Sequence, residues 1–214
     1  MKKNLLVLAF LVGLLTCCKS EDAPIKPVKP TDPGSINKEY MSRAETTFAN
    51  IFKYYWSDKV RMMFGSYPNT LGTPQEPSSP DYDSHAFLWG LGSVVSAFNA
   101  IVQNTDNVDF RMTYESRLKE TLLKYYNTTK EPMCFGCFVN PHDQRLYDDA
   151  IWVGIDLADL YSKTKDSWYL DYAKSVWNFV LSGKDDELGG GVYWDENAKD
   201  SKNTCSNAPA VVLA

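Results

Sequence analysis

Histidine is nearly missing from this chain: His85 and His142 are the only two in 214 residues. That scarcity argues against proton transfer by paired imidazoles and against histidine-rich metal centres. Cys134-Phe135-Gly136-Cys137 has redox or zinc spacing, yet no second cysteine pair follows, so the four ligands of a structural zinc are not assembled. No metal and no cofactor is expected. Positive charge is also short, since 22 Lys and Arg against 27 Asp and Glu leave a net charge of −5 and no basic stripe. Nucleic acid is therefore not an expected partner. The apolar run Leu5 to Leu15 is too short to span a bilayer, and apolar/polar alternation is absent except at Gly191-Val192-Tyr193-Trp194, which suits a short hairpin arm.

What is present starts with an export signal. Residues 1–18 join Lys2 and Lys3, the apolar run and Cys17-Cys18. Leu15-Thr16-Cys17-Cys18 resembles a bacterial lipobox, which implies acylation at Cys18 and a lipid anchor to a membrane; an ordinary cleaved secretory peptide is the alternative. Lys19-Ser20-Glu21-Asp22 resembles the acidic export signal of Gram-negative lipoproteins, which implies the outer membrane and the cell surface. Residues 19–35 are proline-rich without apolar periodicity and are expected to form an extended tether. The globular part is expected over 36–214. Its last residues, Ala208 to Ala214, read as an apolar helix without a cap, so the expectation is the N-terminal part of a larger domain, truncated to about half.

Helical spacing recurs through that part. Tyr40, Ala44, Phe48, Ile51, Phe52 and Tyr55 define a stripe in Ile36–Trp56, and Ala86–Val102, Phe110–Tyr126, Asp149–Lys163 and Trp168–Leu181 follow, with a sixth helix begun near Asn207. A loop rich in Pro, Ser and Gly separates the first two. The reading is all-α. Cys134, Cys137 and Cys205 remain once the N-terminal pair is set aside, and in an oxidising compartment a local disulfide, or one from Cys205 to either partner, is expected.

The candidate chemistry lies in Asp148-Asp149, at the mouth of the fourth helix. Adjacent carboxylates oppose each other's ionisation, so one pKa rises. A protonated and an ionised carboxyl side by side are what glycoside cleavage needs as acid and nucleophile. Acidic residues in a helix's first turn also serve the dipole alone. Trp152, one turn on from Asp149, could floor a sugar cleft or sit in the core. Gly189-Gly190-Gly191 allows a tight bend before Tyr193 and Trp194, either of which could form a sugar platform. Asp83, His85 and Trp89 flank the second helix and could reach substrate hydroxyls, with a cap for Asp83 and a core place for Trp89 as the alternatives. Asn203 and Asn207 could hydrogen-bond substrate, while Ser206 or Asn207 could instead cap the last helix. His142 in Pro141-His142-Asp143 could approach the pair or lie on a surface loop.

The segments Tyr147-Asp148-Asp149-Ala150-Ile151-Trp152-Val153-Gly154, Tyr169-Leu170-Asp171-Tyr172-Ala173, Gly189-Gly190-Gly191-Val192-Tyr193-Trp194 and Lys202-Asn203-Thr204-Cys205-Ser206-Asn207-Ala208-Pro209-Ala210 closely resemble glycoside hydrolase family 76. Looser similarity extends over about 40 to 126, at Ser66-Tyr67-Pro68 and Phe87-Leu88-Trp89. The resemblance implies an α/α toroid, the six-hairpin barrel, and endo-α-1,6-mannanase activity on α-mannan or manno-oligosaccharides. It implies Asp148 as nucleophile and Asp149 as acid/base of a retaining mechanism. Ala150 and Ile151 stand where the family commonly has Asn-Ala. That departure supports the rival reading, a non-catalytic glycan-binding surface lipoprotein on the same fold. An α/α-toroid sugar epimerase or unsaturated-glycan hydrolase is a third reading, and the sparse histidines oppose the epimerase.

Overall fold

The structure is a computed structural model and describes residues 38–68, 85–139 and 144–214. The signal, Cys18, the tether, Asp83 and His142 lie outside the described residues. Among the described residues there are six α-helices: α1 (Lys38–Tyr55), α2 (Leu88–Asn104), α3 (Val108–Tyr125), α4 (Tyr147–Thr164), α5 (Ser167–Ser182) and α6 (Thr204–Leu213). Two antiparallel hairpins of two-residue strands interrupt them, β1 (Trp56–Ser57) with β2 (Met62–Met63) and β3 (Tyr126–Asn127) with β4 (Cys134–Phe135). The all-α expectation describes the architecture. Periodicity does not foresee the two hairpins, because two residues are too few to show a period of two.

Side-chain caps set the starts of α3 and α5. Asn107 accepts from the Phe110 amide at 3.1 Å, which begins α3 two residues before its apolar stripe. Asp166 accepts from the Trp168 amide at 3.0 Å and from Lys119 Nζ at 2.6 Å, fixing the start of α5. Helix α4 has no side-chain cap at Leu146, and its first turn carries Asp148 and Asp149 instead.

Helix α4 is the central element, packed against α2, α5 and α6. Its buried residues include Tyr147, Ala150, Ile151, Val153, Leu157 and Leu160, which cover about half of the helix circumference, a broad face that meets several neighbours at once. Gly154 permits this. A Cβ there would lie 2.8 Å from Val176 Cγ1 on α5 and 3.0 Å from Leu213 Cδ2 on α6, so any side chain would force two helices outward. The same core continues among α1, α2 and α3 through aromatic rings, with Phe48 5.3 Å from Phe110, 5.1 Å from Tyr114 and 6.0 Å from Phe98. Such pairs contribute about 0.5–1.5 kcal/mol each beyond their burial.

Between α5 and α6 the chain makes an arm. Gly189, Gly190 and Gly191 all have positive φ, and Lys184 bridges to Val192. Gly191 is sterically required as well: a Cβ would fall 2.3 Å from Asn207 Oδ1. The arm then pairs Asp195 with Leu146, immediately before α4, and Tyr147 N–H donates to Trp194 O at 2.9 Å.

Candidate active site

Arg145 fastens that arm to the start of α4. Its side chain is fully buried, Nε donates to Glu196 Oε2 at 2.7 Å, Nη2 pairs with Glu196 Oε1, and Nη1 donates to the Pro132 carbonyl at 2.6 Å. Lys130 Nζ reaches the same carboxylate at 3.0 Å. Removing one partner of such a pair leaves a buried charge and costs about 3–5 kcal/mol. The pair thus holds Leu146–Asp149 and Trp194 in one register, although its members are far apart in sequence.

Asp148 and Asp149 are each 9% exposed. Asp148 Oδ2 accepts from Trp194 Nε1 at 3.1 Å and its Oδ1 from the Asp149 amide at 3.1 Å. Cys205, in the first turn of α6, has its thiol pushed up by partial burial and by the nearby Asp148 carboxylate. Asp149 has a poorer set of partners. Its carboxyl is pushed up to about 6 by burial and by the Asp148 charge, opposed by a hydrogen bond with the Cys137 thiol.

Asp149 opens on a trough of about 280 Å³ between α2 and α4. Trp89, Gly92, Ser93 and Ser96 follow the i, i+3, i+4, i+7 spacing of one face of α2, and Trp152 faces them beside Asp149. Trp89 and Trp152 are 56% and 43% exposed, so neither takes the core place that was the alternative for it. A second hollow, of about 210 Å³, lies at the other end of α4 around Asp106, Arg111 and Lys163, and the aspartate pair does not line it.

The other anticipated residues separate. Trp194 is 37% exposed and points its indole nitrogen at Asp148. Tyr193 is 3% exposed beneath Lys202, whose Nζ stands 4.5 Å from the ring centroid, so its faces are not open as a sugar platform. Asn207 is committed to the scaffold: Oδ1 accepts from Val192 N at 2.8 Å, and Nδ2 donates to Val192 O and Asn203 O, each at 2.9 Å. Its amide clamps the glycine turn to α6, with both donors and one of the two lone pairs of Oδ1 already committed. Asn203 is the exposed N-cap residue of α6, with no side-chain capping bond, so neither Ser206 nor Asn207 is the cap. His85 bridges to Phe64 and is not among the residues lining the trough. Its pKa is lowered by burial and by Lys124.

The expected disulfide is not formed: Cys134, Cys137 and Cys205 are all free. The three sit in separate surroundings: Cys134 is fully buried within β4, Cys137 is buried beyond the strand's end, and Cys205 is exposed in the first turn of α6. Among the described residues no cluster of three or more His, Cys, Asp or Glu side chains is arranged for a metal ion, and no helix is long and apolar enough to cross a membrane. Sequence reasoning misses Cys137, Cys205, Ser93, Ser96 and the Arg145–Glu196 pair as parts of the site. Only the Cys134–Cys137 motif gives a signal, and its spacing points to redox chemistry instead.

Comparison with known proteins fits this arrangement. The model of glycosyl hydrolase family 76 matches residues 39–214. A family 76 glycoside hydrolase from a bovine Bacteroides thetaiotaomicron strain superposes with a TM-score of 0.69 at 29% identity, over 81% of this chain and 37% of that one. A family 76 mannosidase of Bacteroides thetaiotaomicron gives 0.67 at 24% identity, over 82% and 47%. An inactive variant of the Salegentibacter α-1,6-mannanase, with two consecutive aspartates replaced by alanine and in complex with α-1,6-mannotetrose, gives 0.56 at 19% identity, over 81% and 43%. No curated protein matches the chain. This chain therefore spans less than half the length of each of these solved structures, and its helices are those of the family's α/α toroid. A match over residues 39–214 shows that the chain belongs to glycosyl hydrolase family 76.

Proposed function

We propose that this protein is a retaining hydrolase of α-1,6-linked mannan, with Asp148 as nucleophile and Asp149 as acid/base. The observation that carries the reading is the asymmetry of the pair. Asp149 holds a proton up to about pH 6 and opens on a trough between two exposed tryptophans, while Asp148 is steadied by an indole and a backbone amide. In the first step Asp148 attacks the anomeric carbon, the glycosidic C–O bond breaks, and the Asp149 proton passes to the leaving oxygen. In the second, water oxygen attacks the anomeric carbon as Asp149 takes its proton, and the C–O bond to Asp148 breaks, which frees the sugar and the Asp148 carboxylate. Exposed Trp89 and Trp152 supply apolar faces for pyranose rings.

The mannosidase and mannanase relatives supply the substrate class, and the inactive double-aspartate relative supports the role of a consecutive pair. The Ala150–Ile151 departure does not disturb the trough, since both side chains are fully buried in the core. Attachment to the outer surface through Cys18 belongs to the same proposal and rests on the N-terminal sequence.

Product analysis on unbranched α-1,6-mannan tests the reading. Manno-oligosaccharides released by the protein and absent with Asp148→Asn are the expected result. Mannan binding with no reducing ends released would favour the glycan-binding alternative, and turnover of an activated mannoside by Asp148→Asn would overturn the assignment of the nucleophile.

A further inference from the structure

We infer that Ser93 and Ser96 determine which sugar the trough accepts: together they present lone pairs rather than protons, and so select a neutral pyranose ring that donates two of its own hydroxyls. The inference deepens the functional reading and rests on it for the ligand being a pyranose.

The two serines lie three residues apart on α2 and both line the trough. Residues at that spacing share one helix face, with Cβ atoms about 5–6 Å apart. Both of their protons are already used. Ser96 Oγ donates to Asp156 Oδ2 at 2.5 Å, and Ser93 Oγ donates to Trp89 O at 3.2 Å. The acceptors fix the direction of these bonds, because a main-chain carbonyl and an ionised carboxylate have no proton to give. Asp156 is itself buried, and Asn99 Nδ2 holds its Oδ1 at 2.9 Å, which keeps Oδ2 on Ser96. A serine hydroxyl has one proton and two lone pairs, so what remains on each oxygen is acceptor capacity alone.

The rest of the lining fixes the chemistry of the ligand. Of the described residues that line the trough, Asp149 alone is charged, and the serines stand beside the exposed indoles of Trp89 and Trp152. A sugar ring matches that pattern, since its C–H face packs on an indole while its hydroxyl edge turns to the serines. At about 280 Å³ the trough is at the small end of ligand pockets, which suits one ring. A ring that carries an ether or a bare carbon opposite either serine has no proton to offer there. The serine oxygen then loses a water and gains no partner, so the site discriminates by the presence of each hydroxyl.

The test follows the indole N–H signals of Trp89 and Trp152 by NMR, each assigned by its loss in Trp89→Phe or Trp152→Phe, as the full chain is titrated with methyl α-mannoside and its monodeoxy analogues. Methyl α-mannoside is expected to shift both signals, and two of the analogues are expected to bind about threefold to tenfold more weakly, the size of one neutral hydrogen bond each. Ser93→Ala should abolish one of these differences and Ser96→Ala the other. A merely structural role would weaken every sugar alike and keep the parent's ratios, so unchanged ratios in the folded variants overturn the inference. Signals that none of the sugars moves overturn it as well. Ser93→Ala decides the matter if Ser96→Ala, which takes a donor from Asp156, fails to fold. Binding with the expected discrimination but no mannan cleavage would defeat the hydrolase reading alone, whereas mannan cleavage with unchanged ratios would defeat this inference alone.

Discussion

Asp149 and Asp156 lie two turns apart on the same helix, both nearly buried and both raised by that burial, yet their surroundings differ. Asp156 Oδ2 accepts from Ser96 Oγ at 2.5 Å and Oδ1 from Asn99 Nδ2 at 2.9 Å, so both of its oxygens are occupied in the α2–α4 contact. Asn99 continues the network to Asp159 at 3.4 Å, and Gln103 donates to Asn99 Oδ1 at 3.1 Å. Asp149 has a like-charged neighbour, and it faces the trough. Burial alone therefore does not make a reactive acid. A buried carboxyl becomes available for chemistry when its partners are too weak to fix one protonation state and one side is left open.

Neutral substitutions at the two positions should give opposite results, and the largest difference is in turnover. Asp149→Asn should lower the rate of mannan cleavage by about 10³-fold or more, as expected for loss of a general acid. Asp156→Ala should leave it within about threefold, because that carboxylate is consumed in packing. Comparable losses in initial-rate assays would erase the distinction between the two carboxyls.

Stability against pH gives the next largest effect. A folded-state value of about 6 against the ordinary 3.8 corresponds to about 3 kcal/mol. Because the value is raised, this contribution is fully present below pH 3.8 and is lost as pH rises through about 6. In urea unfolding, the parent should fall relative to Asp149→Asn between about pH 4 and pH 7 by up to that amount. The same proton sets the alkaline limb of kcat/KM, which should decline above about pH 6.

Asp156→Ala should in turn cost about 2 kcal/mol of stability at neutral pH, since Ser96 and Asn99 lose their acceptor. Thermal unfolding at pH 7 measures it. The smallest effect concerns the open side of Asp149. Trp152→Ala should weaken manno-oligosaccharide binding by about 1 kcal/mol, roughly fivefold, by isothermal titration, with little change in Tm for a side chain 43% exposed. A large loss of stability would show that Trp152 is chiefly a packing residue.

Much of the framework is legible in the amino-acid sequence. Helical spacing locates all six helices to within a few residues, because amphipathic stripes of 10 to 18 residues carry a strong period. The glycine triplet announces a bend, and positive φ at each position is what glycine tolerates. The site is only partly legible. Asp148 and Asp149 stand out through adjacency, whereas Trp152 and Trp89 are ambiguous between core and cleft because both lie on helices whose neighbours a sequence does not name. Tyr193 and Trp194 look interchangeable, and the structure buries one and turns the other to Asp148. Cysteines that read as a disulfide are all free, since spacing along a chain does not set the direction of a side chain.

The sequence by itself determined the helices, the turn and the presence of two consecutive acids at a helix start, all of which depend on local periodicity and covalent neighbours. Tertiary structure alone decided which acid opens on the trough and how Arg145 and Glu196 register the arm against α4. Those outcomes depend on the packing of segments that are not neighbours along the chain, where desolvation and partner geometry set protonation and exposure.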